Sequence, residues 1–163
     1  MDQNSEGLII LTNDGDLAQQ LIHPRHKVEK EYLVTVHQAI TNEALNALLR
    51  GVFTTEGKLQ AKAVARVSPR RVRIILEQGV KRQIRVMLKT LGFMVRKLVR
   101  IRIGSFWVNE LKVGKGVYLS PSDVDLLLIN PPIEKIFFTK PKKSASAKKS
   151  SGKRKSSYKK RRK

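Results

Sequence analysis

The chain has 163 residues, 40% of them hydrophobic, and sets 34 Lys and Arg against 13 Asp and Glu for a formal net charge of +21; that balance favours a polyanionic partner, RNA or DNA ahead of an anionic membrane, because each neutralised phosphate releases condensed counterions. The absence of cysteine excludes disulfides, a thiolate nucleophile and a cysteine-based zinc site. No apolar run is long enough to span a bilayer and the polar, acidic opening is no signal peptide, so a soluble, cytoplasmic protein is expected.

Residues 7–12 form a short apolar run ending in Asn13-Asp14-Gly15, which predicts a strand and a turn. Asp14 or Asp16 is a candidate cap for a short helix through Leu17, Leu21 and Ile22, stopped by His23-Pro24. Residues 31–36 alternate, with Tyr32, Val34 and Val36 on one face, and predict a second strand. Thr41 is a candidate N-cap for a helix burying Ala44, Leu45, Leu48 and Leu49, with Gly51 placed to end it. Residues 59–67 and 72–76 read as antiparallel strands with a cationic wetted face. From Arg82 to Leu91, Ile84, Met87, Leu88 and Leu91 share one helical face while Arg82, Arg85 and Lys89 lie on another, and Gly92 suits the helix end. Residues 95–103 alternate again, as a strand with an arginine stripe. Ser120-Pro121-Ser122-Asp123 opens a last short helix. Residues 140–163 hold 13 of the 34 cationic side chains and no acid. They are expected to be a basic disordered tail on a core spanning 1–139.

Three segments together resemble the RsuA/RluB/RluE/RluF-type ribosomal RNA pseudouridine synthases. The first is Asp2-Gln3-Asn4-Ser5-Glu6-Gly7, running through an apolar strand into Thr12-Asn13-Asp14-Gly15. The second is His23-Pro24 followed by Lys30-Glu31-Tyr32. The third is Gly79-Val80-Lys81-Arg82-Gln83-Ile84-Arg85, with Leu91-Gly92 and residues 98–104. Order and spacing agree across residues 2 to about 128. The resemblance implies an α+β fold, a mixed and largely antiparallel sheet with packed helices. It also implies an isomerase that breaks the uracil N-glycosidic bond, turns the held base and rejoins it through carbon, with no cofactor and no metal. On the family's pattern Asp2 matches the catalytic aspartate, Tyr32 the tyrosine packed against the target base, Arg85 the basic residue paired with the aspartate, and Ile84 an apolar residue beneath the site. Lys30, Arg82, Gln83, Arg100 and Arg102 are the expected RNA-binding residues.

These residue types suit the chemistry. A carboxylate acts as nucleophile or base only when ionised, and a nearby guanidinium holds its pKa down despite burial. An aromatic ring gives a flipped-out base a stacking surface, while cationic side chains position the phosphates. His23, His26 and His37 are too dispersed for metal ligation. The family places a Gly-Arg-Leu run before the aspartate, whereas this chain begins with Met1 in the leucine position; a catalytic core incomplete at its N-terminus, without the S4-like domain usual in the group, is therefore expected. The leading expectation is isomerisation of a specific uridine in ribosomal RNA by a monomer. The alternative is a catalytically weak or inactive remnant that binds ribosomal RNA. A basic membrane-surface or DNA-associated protein has only the charge in its favour.

Overall fold

The computed structural model describes residues 4–107 and 111–132. Asp2 and the basic segment 140–163 lie outside the described residues. In chain order the elements are β1 (Glu6–Gly7), α1 (Gly15–Ile22), a 3-10 turn (Pro24–His26), β2 (Lys30–Val36), α2 (Asn42–Arg50), β3 (Val52–Thr54), β4 (Gly57–Leu59), β5 (Ala63–Ser68), β6 (Arg71–Leu76), α3 (Gln83–Thr90), β7 (Val95–Ile103), β8 (Phe106–Trp107) and α4 (Pro121–Leu128).

The helices begin where their capping chemistry lies. Asp14 Oδ1 accepts from the Leu17 amide at 2.9 Å, and Thr41 Oγ1 accepts from the Ala44 amide at 3.2 Å. At α4, Ser120 and Asp123 exchange bonds in a full capping box with Pro121 in the first turn. Each cap satisfies amides that the first helical turn leaves without intrahelical partners, and contributes about 1 kcal/mol. Gly51 ends α2 at φ 100°, a conformation that costs glycine little.

The sheet is mixed, in the order β1-β7-β2-β6-β5, with β8 also paired to β7. β1 runs parallel to β7; β2 runs antiparallel to both β6 and β7. A separate hairpin joins β3 to β4, so the strand expected over 59–67 is two elements, ending at Leu59 and resuming at Ala63. Of the strand expected over 7–12 only Gly7 lies in a strand, the two-residue β1. Just beyond it, the Leu8 carbonyl accepts from the side-chain Nε of Arg100 at 2.7 Å.

One face of the sheet carries Val34, Val36, Val72, Ile74, Leu76 and Leu98 into the main core, which α2 and α3 close with Ala44, Leu48, Ile84, Met87 and Leu88. Leu45 packs at the margin of this core, and Leu49 is half-buried rather than part of it. A smaller cluster of Leu8, Leu21, Val28, Ile103 and Leu127 ties α1 and α4 to the end of the sheet. Burying each large aliphatic side chain contributes about 1.5–3 kcal/mol.

The arginine stripe expected on β7 is broken. Glu31 pairs with Arg102 and Tyr32 with Arg100, so the ladder skips Ile101 in a register irregularity. Arg100 lines a cleft with Leu98, whereas Arg102 is fully buried. There Arg102 Nη2 donates to Glu29 at 2.9 Å and Nε donates to Glu31 at 2.7 Å, and its Nη1 donates to the Gly104 carbonyl. Arg73 makes a second bond to Glu31 at 2.5 Å and Lys62 a second to Glu29 at 2.8 Å. Trp107 packs against the guanidinium groups of Arg73 and Arg102, whose central carbons lie 5.3 and 5.6 Å from its ring centre. Two buried carboxylates thus each hold two cations, as burial of charge demands.

Candidate active site

A cleft of about 410 Å³ opens where β2, β7, the end of β6 and the start of α3 meet. The antiparallel pairing of β2 with β7 sets Tyr32 beside Arg100. Tyr32, Leu76, Ile84 and Leu98 give the cleft apolar wall, and Lys30, Lys81, Arg82 and Arg100 give it four cations. No carboxylate among the described residues lines it. Arg82, at the entry to α3, takes the left-handed conformation at φ 57°, uncommon for a residue with a side chain and worth about 1 kcal/mol of strain.

Lys30 is held in place. Lys30 Nζ donates to the Leu21 carbonyl at 2.6 Å. Burial, and then the positive charge of Arg100, lower the Lys30 pKa to about 8, because each disfavours a second charge in a poorly solvated place. Gln83 is 2% exposed. Its Nε2 donates to the Gln60 carbonyl at 3.1 Å, tying the start of α3 to the segment after the β3–β4 hairpin.

The segment after Asp2 forms a ridge beside this cleft. Ser5 lines the cleft, while Asn4 lines a neighbouring depression with Glu6, Arg85, Val95 and Arg96. Arg85 Nη2 donates to the Asn4 carbonyl at 2.5 Å. At Gly7, where φ is 98°, the backbone lies so near β7 that an added Cβ would sit 2.2 Å from the Arg100 carbonyl oxygen.

The family model for RNA pseudouridylate synthases matches residues 1–90. The chain belongs to the RNA pseudouridylate synthase family. It is 38% identical over 115 residues to the dual-specificity RNA pseudouridine synthase RluF of Escherichia coli, a match covering 71% of this chain and 40% of that protein. It is 31% identical over 134 residues to the ribosomal large subunit pseudouridine synthase B of Vibrio cholerae, covering 80% of this chain and 40% of the relative. A solved structure described as a pseudouridylate synthase superposes with a TM-score of 0.74 at 27% identity, covering 78% of this chain and 56% of that one. The chain thus spans less than half the length of these two curated relatives.

Within this pseudouridylate synthase fold, Lys30, Tyr32, Arg82, Gln83 and Arg100 come together at one cleft, with Ile84 in its wall. Arg85 stands across the Asn4–Ser5 ridge in the adjoining depression. Arg102, expected to contact RNA, does not reach the surface: the skipped Ile101 sets it against Glu29 and Glu31. Two features escaped the sequence reading. One is the Glu29–Glu31 acid pair, signalled only by two acids at strand spacing in a chain poor in acids. The other is the wall role of Leu76, at the end of β6, and of Gln78, next to the 79–81 stretch of the third motif segment. Among the described residues no cluster of His, Asp and Glu could hold a metal, and no helix is long and apolar enough to cross a membrane.

Proposed function

We propose that this protein isomerises a specific uridine of ribosomal RNA to pseudouridine, with Asp2 as the essential carboxylate. The observation that carries the reading is the cleft itself, half apolar around Tyr32 and Ile84, half cationic, and flanked by the segment that begins two residues after Asp2. An unpaired base extruded from RNA needs a stacking surface and a dry wall, and its flanking phosphates need cations. Tyr32 supplies the stacking surface. Lys30 and Arg82 supply phosphate contacts, and Gln83 a buried amide in the wall. Arg85 supports the Asp2 segment and favours the ionised aspartate.

The reaction breaks the bond from uracil N1 to ribose C1′ and makes one from C5 to C1′. The proton on C5 leaves, and N1 gains one. Atoms balance without an oxidant or a cofactor, and a single ionised carboxylate suffices to attack and later release the sugar or ring carbon. The relatives include a ribosomal large subunit pseudouridine synthase, which supports ribosomal RNA as the substrate class. The reading includes a monomer at work in the cytoplasm, with a core over 1–139 and a basic tail over 140–163.

Chemical mapping of pseudouridine in ribosomal RNA from cells with and without the gene tests it. Loss of one modified position, restored by the wild-type gene and not by Asp2→Ala, is the expected result. An unchanged map, with salt-sensitive RNA binding that Asp2→Ala leaves intact, would instead select a protein that binds ribosomal RNA without chemistry.

A further inference from the structure

Residues 4–8 are held to β7, the neighbour of the Tyr32 strand, by the pairing of Glu6 with Val99 and of Gly7 with Arg100, by Lys97 to Glu6 at 3.0 Å and by two bonds to Arg100. The Leu8 amide donates to the Arg100 carbonyl at 2.9 Å, and Arg100 Nε donates back to the Leu8 carbonyl at 2.7 Å. On its other side, Arg100 is the ladder partner of Tyr32. Gly7 is its partner in β1 and leaves no room for a Cβ against the Arg100 backbone. Residues 4–8 are therefore fastened at both ends by guanidinium–carbonyl bonds, Arg85 to Asn4 and Arg100 to Leu8. With β1 only two residues long, its ladder supplies few bonds to hold this segment.

We propose that Arg100 is a positioning residue: it locks the segment carrying Asp2 to the strand carrying Tyr32, and its contribution to the reaction is geometric rather than a contact to RNA phosphate. The catalytic half of this inference rests on the isomerase reading above. The guanidinium suits the task because Nε–H and the planar fork are fixed relative to one another, whereas a lysine ammonium carries charge without that orientation. A displacement of about 1 Å at a reacting group costs on the order of a hundredfold in rate. Loss of the Leu8 bond acts on kcat, and RNA affinity is set elsewhere.

The test compares full-length wild type with Arg100→Met and Arg100→Lys, by turnover on a ribosomal RNA fragment and by amide hydrogen exchange. Both variants are expected to lose tenfold to a hundredfold in kcat, with KM and the salt dependence of RNA binding unchanged. Both should also exchange the Leu8 amide faster while the amides of β6 keep their protection, which marks a local rather than global opening. A role in phosphate binding predicts the opposite split: Arg100→Met loses affinity and its salt slope falls by about one, while Arg100→Lys retains both. That outcome, or a Leu8 amide as protected as in wild type, would overturn the proposal. If wild type makes no pseudouridine while Leu8 exchange still accelerates in the variants, the isomerase reading fails and the catalytic half of this inference falls with it; the mechanical tether alone survives.

Discussion

Replacing Arg102 with methionine separates a structural arginine from an RNA-binding one. Arg102 is fully buried between Glu29 and Glu31, so Arg102→Met leaves two buried carboxylates each short of one partner. Removing one member of a buried ion pair costs about 3–5 kcal/mol. Here each carboxylate keeps another cation, Arg73 at 2.5 Å for Glu31 and Lys62 at 2.8 Å for Glu29, which places the loss at the lower end, about 3 kcal/mol. Against a total stability of about 5–15 kcal/mol this is a large fraction, and in a domain of this size it lowers Tm by about 10 °C. Urea denaturation should show a lower midpoint at an unchanged slope. RNA binding, measured well below both transitions, should keep the wild-type salt dependence. Stability within about 0.5 kcal/mol of wild type, with a salt slope reduced by about one, would refute the burial argument.

Further outcomes at three residues follow from the same geometry. Gly7→Ala forces a Cβ to within 2.2 Å of the Arg100 carbonyl oxygen at φ 98°; single-turnover kinetics should fall by about a hundredfold with RNA affinity preserved, and a wild-type rate would show that the β1–β7 approach does not matter. Lys30, with its pKa lowered to about 8, should lose its charge as pH rises through 8, so filter binding between pH 7 and 9 should weaken in wild type and not in Lys30→Arg, the control that also separates it from the α-amino group. The same shift has the opposite sign for folding. Between about 8 and 10.5 the unfolded chain holds a proton that the folded chain does not, so the Lys30 contribution to stability rises with pH across that window. Tyr32→Ala should lower turnover by roughly fivefold to 150-fold by removing a stacking surface worth about 1–3 kcal/mol, with Tyr32→Phe retaining most of it; equal losses in both variants, measured by turnover, would assign the effect to the hydroxyl instead.

The parts of this fold written in local sequence were legible as sequence. Thr41 and Ser120-Pro121 marked helix starts within one residue of where the chain turns, and of the two candidates Asp14 and Asp16 it is Asp14 that caps α1, because caps act over three or four residues. The short β1 was not legible: the bond to the Leu8 carbonyl just beyond it comes from a side chain 92 residues away. Nor was the burial of Arg102: alternation along 95–103 predicts which residues share a face only while the register is unbroken, and the skipped Ile101 breaks it. The β3–β4 hairpin escaped because the strands on either side of Thr55-Glu56 are only three residues each, too short for periodicity to register. At the candidate site the three motif segments named the residues, but motif spacing says nothing of distance. Strand pairing brings Lys30, Tyr32 and Arg100 together, and the start of α3 brings Arg82 and Gln83 to the same cleft while sending Arg85 to the far side of the Asn4–Ser5 ridge.

The central claim is that a C5–H bond of uridine is exchanged for a C5–C1′ bond in a reaction that needs Asp2. Ribosomal RNA carrying tritium at uridine C5 reads this directly, because each isomerisation releases one tritium to water. The account predicts release from the wild-type chain that saturates at a single site per RNA and is abolished in Asp2→Asn, with RNA binding intact in both. Wild-type protein that binds the RNA and releases no tritium, or release that Asp2→Asn leaves unchanged, would contradict it.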